Sequence, residues 1–178
     1  EAPLLSLVHG LPGSGDSQVL ERLRDYFETV WNRTLGNEFV FLAPSKSTAS
    51  NIGSFTLRDW GVVPFKDARG TTICSSSRGD DLQSSMVGKC GTLRFICIDE
   101  VEATGAETTG KLEINVLKHI SNKDLFKYKG DGKKRQPRMF GGVNTLFFGD
   151  WWQLRPTGQI ALMSDPRKVE SATAQGIM

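Results

Sequence analysis

The chain has 178 residues, 38% of them apolar and 24% charged, and its 22 basic and 20 acidic side chains leave a net charge of +2. These values fit one ordinary globular domain and exclude disordered, collagen-like and coiled-coil chains. A charge so near balance does not by itself indicate a nucleic-acid partner.

No apolar run approaches the roughly 18 residues of a membrane span, and no basic-then-apolar leader opens the sequence, so neither membrane insertion nor secretion is expected. The three cysteines, Cys74, Cys90 and Cys97, form no C-x-x-C pair. That argues against a disulfide framework or a zinc knuckle and for reduced thiols inside the cell. His9 and His119 stand far apart without an Asp or Cys cluster, which argues against a metal site or a triad.

The first apolar run is Leu4–His9, read as a strand. The glycine-rich stretch Gly10–Ser17 follows, and then Val19, Leu20, Leu23, Phe27, Val30 and Trp31 recur at helical spacing. Phe39–Pro44 reads as a second, buried strand, with a short helix near Thr48–Asn51 and the segment Phe55–Trp60 behind it. Residues 61–92 show no clear period and are expected to form a long surface excursion. Arg94–Glu100 is a third strand ending in two carboxylates; a helix with Leu112, Val116, Leu117 and Ile120 on one face follows. The stretch 121–138 is basic, carrying Lys123, Lys127, Lys129, Lys133, Lys134, Arg135 and Arg138 against Asp124 and Asp131. Asn144–Asp150 is the fourth strand, and residues 164–178 form a small, polar tail expected to be loose. Strands alternating with helices predict an α/β domain, a parallel sheet with helices on both faces, whose ligands bind at the carboxyl ends of the strands.

Three of those ends carry chemistry. Gly10–Ser17 has the spacing of G-x-x-x-x-G-K-[ST], in which backbone N–H groups and a helix N-terminus hold a phosphate and the hydroxyl ligates Mg²⁺. The lysine position is Asp16, so the segment also reads as a plain glycine turn with an acid in the first helical turn. Asp99-Glu100 supplies the acids that Mg²⁺-dependent nucleotide hydrolysis needs: Asp99 for the cation, Glu100 for the attacking water. In Gly149–Leu154, the Gln153 amide is able to bond a γ-phosphate oxygen or to be a satisfied core amide. Trp151 and Trp152 read as base-stacking platforms or, more simply, as core packing at a strand end.

The segments LVHGLPGSGDSQVL, FVFLAPSKSTASNIGSFTLRDW, FICIDEVEATGAE and FGGVNTLFFGDWWQLRPTG resemble the first, Ia, second and third motifs of the Pif-type (petite integration frequency) DNA helicases, over about residues 4–163. The resemblance implies a RecA-like P-loop NTPase motor domain at 1–163 that binds ATP and Mg²⁺. It further implies contact with single-stranded DNA or a forked duplex, and five-prime-to-three-prime unwinding in the family. By that resemblance Gly10, Pro12, Gly13, Ser14, Gly15, Asp16, Ser17 and Gln18 form the phosphate loop. Ser17 and Asp99 match the Mg²⁺ ligands, Glu100 the catalytic acid, and Gln153 with Asp150 the γ-phosphate sensor. Ser45, Lys46 and Thr56 are the candidates for DNA contact.

Four departures accompany it. Asp16 replaces lysine, Arg58 stands where T-x-H-x-aromatic has histidine, Gln153-Leu154-Arg155-Pro156 replaces Q-L-P-P, and the family's second motor domain is expected to be absent. Weak or no activity is therefore expected. A non-catalytic nucleic-acid-binding or scaffold remnant is the alternative, and a nucleotide kinase is disfavoured by FGGVN and GDWWQL. The expected compartment is the nucleus, ahead of the mitochondrion.

Overall fold

The computed structural model describes residues 2–11, 13–66, 72–73, 79–121, 124–130, 134–150, 152–156, 159–162 and 164. Five strands form one sheet in the order β1 (Leu5–His9), β9 (Asn144–Gly149), β6 (Phe95–Ile98), β2 (Phe39–Ala43) and β3 (Phe55–Thr56). Every neighbouring pair is parallel, with His9 beside Gly149, Phe147 beside Ile98, Ile98 beside Leu42, and Ala43 beside Thr56. All carboxyl ends therefore share one edge.

The interior strand β2 shows why the sheet is covered on both faces. Successive side chains of a strand point to opposite sides, and all five residues of β2 are buried. Val40 and Leu42 enter one core with Ile96, Ile98 and Phe147. Helices α3 (Leu57–Gly61), α4 (Gly79–Cys90) and α5 (Ala106–His119) cover that face through Leu57, Trp60, Met86, Cys90, Leu112 and Val116. Phe39 and Phe41 enter the other core with Cys97, Phe148, and Leu20 of α1 (Asp16–Asp25). There the last turn of the α1 region is π-helical, Tyr26–Val30, and Phe27 stacks on Trp31 at 5.4 Å and packs against Phe39 and Phe95.

The sequence expectations need three corrections. The excursion 61–92 is not all surface. It holds a hairpin of β4 (Phe65–Lys66) and β5 (Thr72–Ile73), and α4, whose Met86 and Cys90 are fully buried. A fifth strand, β3, lies within the segment Phe55–Trp60, and α3 follows it directly. The short helix α2 spans Lys46–Asn51, starting before Thr48 because the Ser45 side chain caps it. Helices pack on both faces of the sheet, as expected, and the edge strand β1 leaves Leu5 and Leu7 56% and 44% exposed. The basic stretch contains α6 (Asp124–Lys127) and a small hairpin, β7 (Tyr128–Lys129) with β8 (Gln136–Pro137); Lys123, Asp131 and Lys133 lie outside the described residues. So do Cys74, Trp151 and nearly all of the tail 164–178.

Candidate functional site

The glycine loop leaves β1 at the carboxyl edge. Gly13 and Gly15 have φ of +81° and +96°, a left-handed backbone that side chains other than glycine's resist. The Ser14 N–H donates to Leu11 O at 2.9 Å and the Val19 N–H to Gly15 O at 3.1 Å, so the chain curls back before entering α1. Ser14 Oγ donates to Asp16 Oδ1 at 3.2 Å. A Cβ built on Gly10 would lie 2.0 Å from Ser14 Oγ and 2.8 Å from Asp16 Oδ1. The Asp16 carboxylate is thus folded against the backbone of the loop. Ser17 and Gln18 are exposed on the first turn of α1, while Pro12 lies outside the described residues.

Asp99 follows β6, and its N–H donates to Leu42 O at 2.8 Å. It is buried, and burial is the main reason its carboxyl is pushed up to about 6; the negative charges of Glu100 and Asp16 add to the effect. The charge of Asp16, on the glycine loop, thus acts on Asp99 at the end of β6. Glu100 holds φ +48° and ψ +52°, a strained backbone for a residue with a Cβ. Its Oε2 accepts the Thr48 hydroxyl at 3.0 Å, and its carbonyl accepts the Thr104 hydroxyl at 3.1 Å.

Two further acids complete the edge. Glu102, unnoticed in the sequence, is 5% exposed, and its Oε2 accepts the Asp150 backbone N–H at 3.0 Å. Burial raises its pKa, opposed by the hydrogen bonds from its own backbone and from Asp150. The only sequence signal was a third acid two positions after Glu100. Asp150 is 1% exposed; its Oδ1 accepts the Trp152 N–H at 2.9 Å, and its Oδ2 is buried without a hydrogen-bond partner among the described residues.

Beyond Asp150 the chain turns into solvent. The Gln153 N–H donates to Asp150 O at 3.2 Å, and the Gln153 side chain is exposed, so it is not a core amide. Trp152 is 80% exposed, which overturns core packing as the simpler reading of that residue. The loop then returns to the sheet: a small pocket is lined by Pro44, Arg58, Gly105, Thr108, Pro156 and Gln159. It joins the exit of β2 to the exit of β9 across the start of α5.

The candidate DNA-contact residues divide in two. Ser45 and Lys46 are exposed at the start of α2. Thr56 is 9% exposed, and its hydroxyl oxygen caps α3 by accepting the Asp59 N–H at 3.0 Å, which leaves it a structural task. Within the basic stretch the Arg135 guanidinium lies 4.0 Å from the Tyr128 ring centroid and Arg138 Nε donates to Tyr128 O, so both arginines brace the β7–β8 hairpin.

No protein-family model and no curated protein sequence matches the chain. Solved structures do. A Pif1 helicase from Bacteroides, in complex with ADP-AlF3 and ssDNA, is 19% identical with a TM-score of 0.59, covering 89% of this chain and 31% of that one. Pif1 helicase from Candida albicans gives 19% and 0.59, covering 87% and 30%. Unliganded Pif1 from Bacteroides sp. gives 18% and 0.56, covering 90% and 30%. The fold is that of the Pif1 helicase RecA-like domain. The chain spans about 31% of the length of the Bacteroides helicase.

The donor types at this edge are those that a divalent cation takes, but they do not by themselves make a complete site. The Ser17 hydroxyl and the Asp99 carboxylate are oxygen donors of the kind Mg²⁺ takes. Among the described residues no group of three or more His, Cys, Asp or Glu is placed to hold an ion, so phosphate oxygens or water would have to complete its shell. Asp16 fits a triphosphate poorly, because its carboxylate repels the group that the loop backbone is shaped to receive.

Proposed function

We propose that this chain is the nucleotide-binding motor domain of a Pif-type DNA helicase, with MgATP affinity weakened by Asp16. One observation carries the reading: the glycine loop, Asp99-Glu100 and Asp150-Gln153 all leave the same carboxyl edge of a parallel sheet. In this assignment the backbone N–H groups of the Gly13–Gly15 loop would receive phosphate oxygens, Ser17 and Asp99 would hold Mg²⁺, and Glu100 would be the base for the attacking water. Gln153, braced on the buried Asp150, senses the γ-phosphate. Its exposed side chain is free to turn toward a ligand, and a glutamine amide offers the two donors that the role requires.

The DNA partner is proposed to be a single strand or a forked duplex. It would lie across the exposed Ser45 and Lys46, with Arg58 and Pro156 on the adjoining pocket. Structures of Pif1 helicases with ssDNA and at forked dsDNA support that choice by likeness of fold.

A second reading is a nucleic-acid-binding remnant without catalysis, and the position of Asp16 over the loop favours it. Titration with a fluorescent ATP analogue and Mg²⁺ separates the two. Saturable binding, even at millimolar concentration, supports the motor domain; no binding, together with retained DNA affinity, supports the remnant. Absence of both would remove the proposal.

A further inference from the structure

A chain of hydroxyls connects the exposed start of α2 to the Glu100 carboxylate. Ser45 Oγ accepts the Thr48 N–H at 3.1 Å and lies 2.9 Å from Thr48 Oγ1, which in turn lies 3.0 Å from Glu100 Oε2. Each hydroxyl has one proton to give, and an ionised carboxylate has none. Thr48 therefore donates to Glu100, which leaves Ser45 as the donor to Thr48. The relay runs from an exposed serine, through a half-buried threonine, to the partly buried Glu100. It spans 52 residues of sequence between Thr48 and Glu100.

From this geometry we infer that Thr48 is a positioning residue that couples DNA bound on α2 to the nucleotide site through Glu100. The inference rests on the motor-domain reading above. Glu100 sits on a left-handed backbone, a conformation that persists only where the surrounding structure holds it, and its side chain is held by Thr48. With Thr48 donating to Oε2, one of the acceptor positions of the carboxylate is taken and its direction is fixed toward α2. A phosphate oxygen that accepts the Ser45 proton takes the donor from Thr48 Oγ1 and breaks the relay at its exposed end. Hydrogen bonds in a chain polarise one another, so loss of the first link weakens the second. A strand seated on Ser45 and Lys46 would thus release Glu100 toward the nucleotide. By reciprocity, nucleotide that recruits Glu100 would favour the strand.

The test is a linkage cycle on the whole chain. The dissociation constant of a fluorescent ATP analogue with Mg²⁺ is measured with and without saturating oligo-dT, for the unaltered protein, Thr48→Val, Thr48→Ala and Thr48→Ser. All three variants keep the backbone N–H that Ser45 caps. For the unaltered protein the strand should tighten nucleotide binding about fivefold or more, the usual lower range of such coupling. Valine and alanine should bring the ratio to within about twofold of unity, while serine should restore it. A residue with only a packing role would not give that pattern. Both ligands binding with no effect of the strand, or a valine or alanine variant that keeps the full ratio, overturns the coupling and leaves the motor-domain reading intact. Failure of the unaltered protein to bind nucleotide at all overturns both.

Discussion

The Glu102 carboxylate holds the backbone N–H of Asp150 at 3.0 Å, fastening the turn after β6 to the turn after β9. The two segments that carry Glu100 and Gln153 are therefore one mechanical unit. The clasp also sets the residue before Asp150: a Cβ on Gly149 would lie 2.2 Å from Glu102 Oε2 and 3.0 Å from the Val101 backbone N.

Glu102→Ala should strand a buried N–H and cost about 1–3 kcal/mol, whereas Glu102→Gln keeps an acceptor and should cost less. Gly149→Ala forces the same contact apart and should cost about 1–3 kcal/mol. Urea denaturation midpoints of the three variants give the ranking. Equal midpoints for alanine and glutamine at 102 would show that the clasp is not formed in solution.

Asp16→Lys should strengthen binding of a non-hydrolysable ATP analogue with Mg²⁺ by at least tenfold. The substitution replaces a repulsion by an attraction, and tenfold needs only about 1.4 kcal/mol of the change to survive solvent screening. The same change puts a cation in the first turn of α1 and should lower stability by about 0.3–1 kcal/mol. Calorimetric titration and thermal unfolding read the two effects. Equal affinities would mean that Asp16 does not repel the phosphate.

The raised Asp99 carboxyl gives a pH dependence of definite sign. Its ordinary value of 3.8 applies in the unfolded chain, and burial holds it at about 6 in the fold. Between those values the folded state binds more protons, so the contribution of Asp99 to stability falls as pH rises from about 4 to about 6. The full loss is on the order of 3 kcal/mol. Asp99→Asn should flatten that part of the stability profile and raise stability at neutral pH. Denaturation of both proteins at several pH values checks it; parallel profiles would contradict it.

Met86→Ala should cost about 2–5 kcal/mol, because Met86 is fully buried in the larger core. Val87→Ala, one residue on and 50% exposed, should change stability by no more than about 0.5 kcal/mol. Denaturant unfolding measures the contrast, and equal effects would mean that α4 does not pack as described.

The sheet was legible because β2, β6 and the Leu146–Phe148 part of β9 are largely buried and appear as apolar runs. The loop and the acid pair were legible because their residue types are unusual at strand ends. Helix α4 was hidden because its apolar side chains are too few to mark a face: Met86 and Cys90 are set among serines and glycines. Strand β3, two residues long, is too short to show a period. Thr48 and Glu102 were invisible for a different reason. Each acts on a partner 52 or 48 residues away, and only the sheet brings those partners within reach.

Among the described strands β1 has a neighbour on one side only, and its Leu5 and Leu7 are open to water. An edge strand with exposed leucines is a place where a strand from another molecule can join. The strand that carries the glycine loop is thus also the place where concentrated preparations of this chain would begin to stick to one another. Charged substitutions at Leu5 or Leu7 would be the first remedy for poor solubility, since they alter the outer surface of β1 and leave its register with β9 untouched.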